Sequence, residues 1–187
     1  IDSSQAATLA AHNSLGLGPI YYYGTDAQKE ELLPQLCTGK ALWGFGLTEP
    51  DAGSDSRGSK TKAVKVGDQW VINGSKIFIT NASSEISIGS TAQTVTSTDE
   101  KGNKSFTNFI VRRNVPGFKA VAMHGKMMWR ASDTAELYFD DCKVRDEDML
   151  GKEGEGSKII LATLDSGRLS IAAMGLGLAQ GAFELAL

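Results

Sequence analysis

The stretch Phe45-Gly46-Leu47-Thr48-Glu49-Pro50-Asp51-Ala52-Gly53-Ser54-Asp55 decides how the chain is read. The apolar, β-prone residues Ala41, Leu42 and Trp43 lead into it, and Phe45 and Leu47 continue them. Glu49-Pro50 then forces extended backbone at 49 and removes a donor at 50. Asp51, Gly53, Ser54 and Asp55 are short turn formers. The picture is a strand whose end feeds a tight, glycine-relieved loop. Such a loop offers backbone N–H groups and the hydroxyls of Thr48 and Ser54 to an anionic or hydrogen-bonding ligand. Standing alone, the same pattern also describes an ordinary strand-to-turn exit.

Outward from this stretch the pattern changes on both sides. From Ala41 to about Met149 short β-like runs alternate with turn signals: 41–48, 61–66, 69–73, 75–80, 86–96, 105–112, 118–122 and 134–139. Gly67-Asp68 and Asn73-Gly74 read as hairpin turns. Many short strands in about 110 residues predict a small antiparallel barrel or sandwich. On the N-terminal side, residues 2–23 read as an Ala-rich helix interrupted by Gly16, Gly18 and Pro19. A second helix starts at a Thr25/Gln28 capping box, runs to Gln35 or Leu36, and turns Leu32, Leu33 and Leu36 to a core. On the C-terminal side helix resumes near Lys158, is expected to bend or break at Gly167, and continues over Arg168–Leu187. That last segment is apolar nearly all round. Its length allows a membrane span, but Gln180 and Glu184 favour a buried bundle helix. It meets no glycine, asparagine or cationic stop, so a piece of a longer protein is expected. The fold class is therefore α+β, a small antiparallel β-barrel flanked by helices.

Composition narrows the function classes. A net charge of −3 over 187 residues leaves no basic field for nucleic acid. Cys37 and Cys142 fit no metal spacing and read as reduced thiols, which points to a reducing compartment. His12 and His124 stand alone, without acidic or thiol neighbours at ligand spacing, and read as structural; no metal is expected.

Four motifs in order carry a family resemblance. Leu47-Thr48-Glu49-Pro50-Asp51-Ala52-Gly53-Ser54-Asp55 resembles the first signature of the acyl-CoA dehydrogenases, and Asn73-Gly74-Ser75-Lys76-Ile77-Phe78-Ile79-Thr80-Asn81 resembles the second. Arg130-Ala131-Ser132-Asp133-Thr134 and Leu164-Asp165-Ser166-Gly167-Arg168 resemble two more. The resemblance implies the end of an N-terminal helical domain over 1–39, a β-barrel middle domain over 40–150, and the start of a C-terminal helical bundle over 151–187. It implies α,β-dehydrogenation of an acyl-CoA thioester, with hydride passing to N5 of FAD, in the manner of short-chain members. Phe45, Leu47, Thr48, Gly53, Ser54, Phe78, Ile79 and Thr80 would hold the flavin: Thr48 and Thr80 at the ring edge, Phe78 covering one face. Ser54, Asn103, Asp165 and Arg168 would hold the CoA. Arg168, read as the start of the last helix, is an electrostatically poor place for a cation unless a ligand uses it. An electron-transferring flavoprotein as electron acceptor, a homodimer or homotetramer, and a bacterial cytoplasm or mitochondrial matrix complete the implied picture.

The chain also departs from the pattern. Met127-Met128-Trp129 stands where a glycine is usual before the arginine. Ser87, Gly89, Ser90 and Thr91 replace a more aliphatic run, which predicts a poorly packed strand. No residue matches the family's catalytic glutamate, so no catalytic residue is assigned. An acyl-CoA oxidase or flavin monooxygenase on the same fold, and a non-catalytic scaffold homologue, remain the alternatives.

Overall fold

The computed structural model describes residues 3–187. The N-terminal helix runs without a break through three geometries: α1 (Ser3–Ala10), a π-helical stretch (Ala11–Leu17) and α2 (Gly18–Tyr23). Gly16 and Pro19 therefore do not interrupt it. Gly16 lets the helix approach the Trp43 backbone closely, since a Cβ there would lie 2.8 Å from the Trp43 carbonyl oxygen. Pro19 stands in the first turn of α2, directly after the π-helical stretch. Helix α3 (Asp26–Cys37) begins at the expected capping box of Thr25 and Gln28. Leu32 and Leu36 are buried, and Leu33 packs beside them. The Gln28 amide does more than cap: its Nε2 donates to the carbonyls of Glu147 (2.7 Å) and Met149 (2.9 Å), more than a hundred residues further along the chain.

Eight strands follow: β1 (Leu42–Gly46), β2 (Lys62–Val66), β3 (Gln69–Thr80), β4 (Ser87–Thr98), β5 (Lys104–Arg112), β6 (Phe118–Ala122), β7 (Thr134–Arg145) and β8 (Met149–Leu150). They form one sheet in the order β6-β7-β3-β2-β4-β5-β8, with β1 added on β4. All neighbours are antiparallel except β1–β4 and the single Lys62–Val95 step of β2–β4. The sheet curls so that β5 and β7 share one core. Phe109 and Val111 of β5 sit with Trp70 and Ile72 of β3, and with Leu137 and Phe139 of β7.

Two expectations change here. Asn73-Gly74 is not a hairpin turn; the two runs on either side are one strand, β3. Gly74 has φ +144°, and a Cβ on it would fall 2.7 Å from the Thr61 Cα, so the glycine serves a close backbone approach. Asn73 faces two residues of β7 at a bulge, donating to Asp141 Oδ1 (3.0 Å) and accepting from the Asp141 N–H (2.9 Å). The polar run Ser87–Thr91 is not loose either. Ser87, Ser90 and Thr91 are buried, Thr91 accepts from the Trp43 indole at 3.0 Å, and Gly89 leaves room for the Trp43 ring.

A second core joins the helices to the sheet. Ile20 of α2, Leu32 and Leu36 of α3, Trp43 of β1, Ile110 of β5, Leu150 of β8 and Ile159 of the last helix form one cluster. Buried His12 pins this region, with Nε2 3.0 Å from the Leu36 carbonyl and Nδ1 accepting from the Trp43 N–H at 3.4 Å. It is structural, as its isolation in the sequence suggests.

The last helix, α4 (Gly156–Ala186), is continuous. Gly167 does not break it. A glycine costs about 1 kcal/mol in a helix, and here it admits Leu15 of the π-helical stretch, whose Cδ2 would lie 2.8 Å from a Cβ at 167. Arg168 consequently lies mid-helix rather than at a helix start. By length and composition α4 could cross a membrane. Its early residues Gly156, Ile159, Ile160, Thr163 and Gly167 pack on the rest of the chain. Its later apolar residues, including Leu169, Leu176 and Leu185, are exposed, so the expected burial of this segment is not seen within the described residues.

Candidate functional site

The end of β1 and the last third of β3 meet at a cleft. The Ile77 N–H donates to the Thr48 carbonyl at 2.9 Å and fastens the two stretches together. From one side come Phe45, Leu47 and Thr48, from the other Phe78, Ile79 and Thr80. Ala11 and Leu15 of the π-helical stretch, Trp43 and Leu164 of α4 complete the walls. The cleft holds about 150 Å³. Pockets that enclose a whole ligand hold roughly 300–1,000 Å³, so a ligand of that size would not be enclosed by this cleft alone. None of the lining residues carries a carboxylate, an imidazole or an amine.

Local geometry explains why these side chains point where they do. Opposite Glu136 of β7, Ile77 and Phe78 form a bulge, and Phe78 takes φ +61°. This reverses the ordinary alternation: Ile79 goes into the core at 3% exposure, while Phe78 is left 62% exposed at the cleft. A core role for Phe78 is thereby excluded. Thr48 and Thr80 are half-buried, and neither hydroxyl bonds to another described residue. The Thr48 hydroxyl is therefore not tied to a neighbouring described strand. Beyond Thr80 the chain turns at Asn81 (φ +64°), whose Nδ2 donates to the Thr8 carbonyl at 3.0 Å. Asp133 accepts from the N–H groups of Ser83 (2.8 Å) and Ser84 (2.9 Å), holding that turn against the start of β7.

Directly behind the cleft lies a buried ion pair that the sequence reading passed over. Lys76 and Glu49, with side chains 0% and 5% exposed, are 2.8 Å apart. The ammonium also donates to the Leu47 carbonyl and the Ser59 hydroxyl, each at 3.2 Å. Glu49 accepts in addition from the Ser59 hydroxyl and from the N–H groups of Lys60 (2.6 Å) and Thr61 (3.0 Å). Burial opposes ionisation of Glu49, but the Lys76 charge and these hydrogen bonds outweigh it and hold the carboxyl down at about 2. Burial draws Lys76 down to about 8 against the opposite pull of Glu49. The pair is therefore ionised at neutral pH. Its signal in the sequence was two charges set among apolar residues, Leu47 beside one and Ile77-Phe78-Ile79 beside the other. The wall supplied by Ala11 and Leu15 had no such signal, because a π-helical register leaves no distinctive spacing.

The remaining expected site residues lie elsewhere. Gly53 and Ser54 are exposed in the loop beyond the Glu49–Ala52 bridge and do not line the cleft with Thr48, as had been expected for Ser54. Turn chemistry shows that a loop forms, but not how far its tip projects. Asn103 belongs to the exposed 99–103 turn, where its Nδ2 donates to Asp99 Oδ2 at 2.8 Å, and borders a separate depression with Arg57, Lys104 and Ser157. Asp165 and Arg168 pair with each other at 2.5 Å on the exposed face of α4. The glycine missing before Arg130 has a structural counterpart: Trp129 adopts φ +53°, with its indole donating to the Ser3 hydroxyl at 3.1 Å. Cys37 is exposed and Cys142 buried, both unpaired, and no metal-binding cluster of His, Cys, Asp or Glu occurs among the described residues.

Known proteins resemble this chain over nearly its whole length. The "Acyl-CoA dehydrogenase, middle domain" family pattern matches residues 44–142, and the "Acyl-CoA dehydrogenase, N-terminal domain" pattern matches residues 1–40. A short-chain-specific acyl-CoA dehydrogenase of Clostridium acetobutylicum is 45% identical over 94% of this chain and 46% of its own length. A structure described as the electron transferring flavoprotein of Acidaminococcus fermentans, towards a mechanism of flavin-based electron bifurcation, superposes with a TM-score of 0.88 at 42% identity. It covers 97% of this chain and 47% of its own. An acyl-CoA dehydrogenase of Bacillus anthracis complexed with FAD superposes with a TM-score of 0.89 at 33% identity, covering 97% of this chain and 31% of its own. The chain spans about half the length of the curated relatives it matches.

Proposed function

This chain belongs to the acyl-CoA dehydrogenase family, and on that premise we propose that it forms the flavin-binding half of an enzyme that dehydrogenates short acyl-CoA thioesters. The observation that carries the reading is the convergence of Thr48, Phe78 and Thr80, from two separate signatures, on one cleft with both hydroxyls unengaged. The residues fit FAD. Phe78, turned outward by its bulge, offers an apolar face to a flat ring, and the two hydroxyls offer hydrogen bonds at the ring's polar edge. When bound, FAD supplies the hydride acceptor. The protein's part is to hold the ring at Thr48 and Thr80, to exclude water from one face with Phe45 and Phe78, and to leave the other face open to a thioester.

Among the described residues the cleft offers no base for the α-proton, because no titratable side chain lines it. Glu49 is adjacent but buried and committed to Lys76. General-base catalysis contributes about 10²–10⁴-fold and requires a carboxylate in hydrogen-bond reach, so none of the described residues is assigned as the base. The CoA contacts of Ser54, Asn103, Asp165 and Arg168 belong to this proposal, as do the division at 39/40 and 150/151, transfer of electrons to an electron-transferring flavoprotein, and assembly as a homodimer or homotetramer. The unpaired thiols fit a bacterial cytoplasm or a mitochondrial matrix.

The test is FAD binding followed by anaerobic titration with butyryl-CoA. The full-length protein is expected to bind FAD and to bleach on adding the thioester. Thr48→Val together with Thr80→Val is expected to weaken FAD binding without unfolding the chain. Tight FAD binding by that double variant would refute the placement of the flavin at this cleft.

A further inference from the structure

We propose that the Glu49–Lys76 pair is the positioning element of the cleft, holding the Thr48 wall and the Phe78–Thr80 wall at the separation a flavin ring requires. The inference rests on the flavin reading given above and adds to it residues that do not touch the ring.

The geometry makes the assignment. Lys76 lies on β3, two residues before Phe78, and its ammonium has three donors. They reach the Leu47 carbonyl, Glu49 Oε1 and the Ser59 hydroxyl, so they grip the backbone on one side of Thr48 and the side chain on its other side. The Thr48 carbonyl in turn receives the Ile77 N–H. Thr48 is thus clamped from both neighbours and from the opposite wall. The residue that does the clamping immediately precedes the Ile77–Phe78 bulge that turns the aromatic outward. Glu49 ties the same unit to the Ser59–Thr61 segment through a hydroxyl and two N–H groups. The pair is buried and ionised on both sides, so it presents no net charge to a ring in the cleft, and its effect there is geometric. A merely stabilising pair would not need to bond the backbone of a ligand-facing residue. Replacement by apolar side chains commonly serves stability as well or better.

The experiment uses the full-length protein. Lys76→Met, Glu49→Gln and the double variant are compared with Arg112→Met, which breaks the Arg112 bridge to Glu31 and Asp148 and shares no residue with the cleft. Two readouts are taken beside the melting temperature: the FAD dissociation constant of the apoprotein, and the shape of the bound flavin's visible absorption bands. Lys76→Met is expected to weaken FAD binding by about tenfold or more and to move the bands toward those of free FAD. Arg112→Met is expected to lower the melting temperature while leaving both flavin readouts unchanged. If Lys76→Met fails to fold, the double variant, which removes the stranded carboxylate, carries the same expectation. Unchanged FAD affinity and spectrum in the pair variants would overturn this proposal alone, as would an equal flavin shift in Arg112→Met. Failure of the wild-type protein to bind FAD would overturn the flavin reading and this proposal with it.

Discussion

Replacing Lys76 by Met is expected to reverse the sign of the protein's response to acid at one carboxyl. In the native chain Glu49 is held at about 2 against an ordinary 4.5. A group depressed in this way stabilises the fold above its unfolded value and loses that contribution as pH falls through the folded value. The contribution is about 3 kcal/mol at neutral pH, and its loss extends from about pH 5 to about pH 2. Methionine fills similar space but leaves Glu49 at 5% exposure without its counter-ion, keeping only the Ser59 hydroxyl and the Lys60 and Thr61 N–H groups. Stranding a buried charge costs about 3–5 kcal/mol, which for a chain of this size lowers the melting temperature by about 6–20 °C. With the cation gone, burial, the largest single influence on Glu49, is expected to push its carboxyl above the ordinary value, so that protonation relieves the fold. The assay is urea unfolding of wild type and variant from pH 7 downward. The gap between the two stability curves should narrow steadily, because the exposed carboxylates contribute alike to both. Parallel curves, or a gap that widens in acid, would show that Glu49 does not depend on Lys76 and would refute the reasoning.

Other outcomes follow from single positions. Trp129 sits at φ +53°, where a β-carbon costs about 1–2 kcal/mol, so Trp129→Gly should be more stable than Trp129→Ala in denaturant melts, reversing the usual order. Gly74→Ala places a Cβ 2.6 Å from Thr61 Oγ1 and 2.7 Å from its Cα at a positive φ; a loss of more than about 2 kcal/mol is expected, read as a lowered urea midpoint. Residues 1–187 alone, given FAD and butyryl-CoA without oxygen, should leave the flavin's absorbance near 450 nm, on the order of its starting value; rapid bleaching would mean that a base lies within this chain. Thiol titration of the folded protein should modify Cys37 and spare Cys142, whose thiol burial pushes up to about 12.

The order of elements was legible because it follows from local chemistry. The Thr25/Gln28 box started a helix as it does in isolation, and alternating short runs between glycine turns gave the sheet. Errors arose where a residue's conformation answers to something distant in the chain. Asn73-Gly74 has turn composition, yet its glycine serves the approach of Thr61 and its asparagine serves Asp141. Gly167 looks like a helix breaker until Leu15 is seen against it. The cleft residues of both signatures were readable as motifs, but the outward turn of Phe78 depends on a bulge set by pairing with β7. Ser54, Asn103, Asp165 and Arg168 could be placed on a loop or helix, and sequence spacing carries no information on which of them share a surface.

The second core bears on whether this chain can be divided. Its apolar residues come from α2, α3, β1, β5, β8 and α4, on both sides of the boundaries that the sequence patterns draw at residues 40, 44 and 142. A segment cut at 44 and 142 would keep Ile110 and lose Trp43, Leu150 and Ile159, leaving a bare apolar surface on the outer side of β5. It would also lose both carbonyls that receive the Gln28 amide, along with Gln28 itself. Because this core spans the matched segments, the helices and the sheet are expected to unfold together rather than segment by segment.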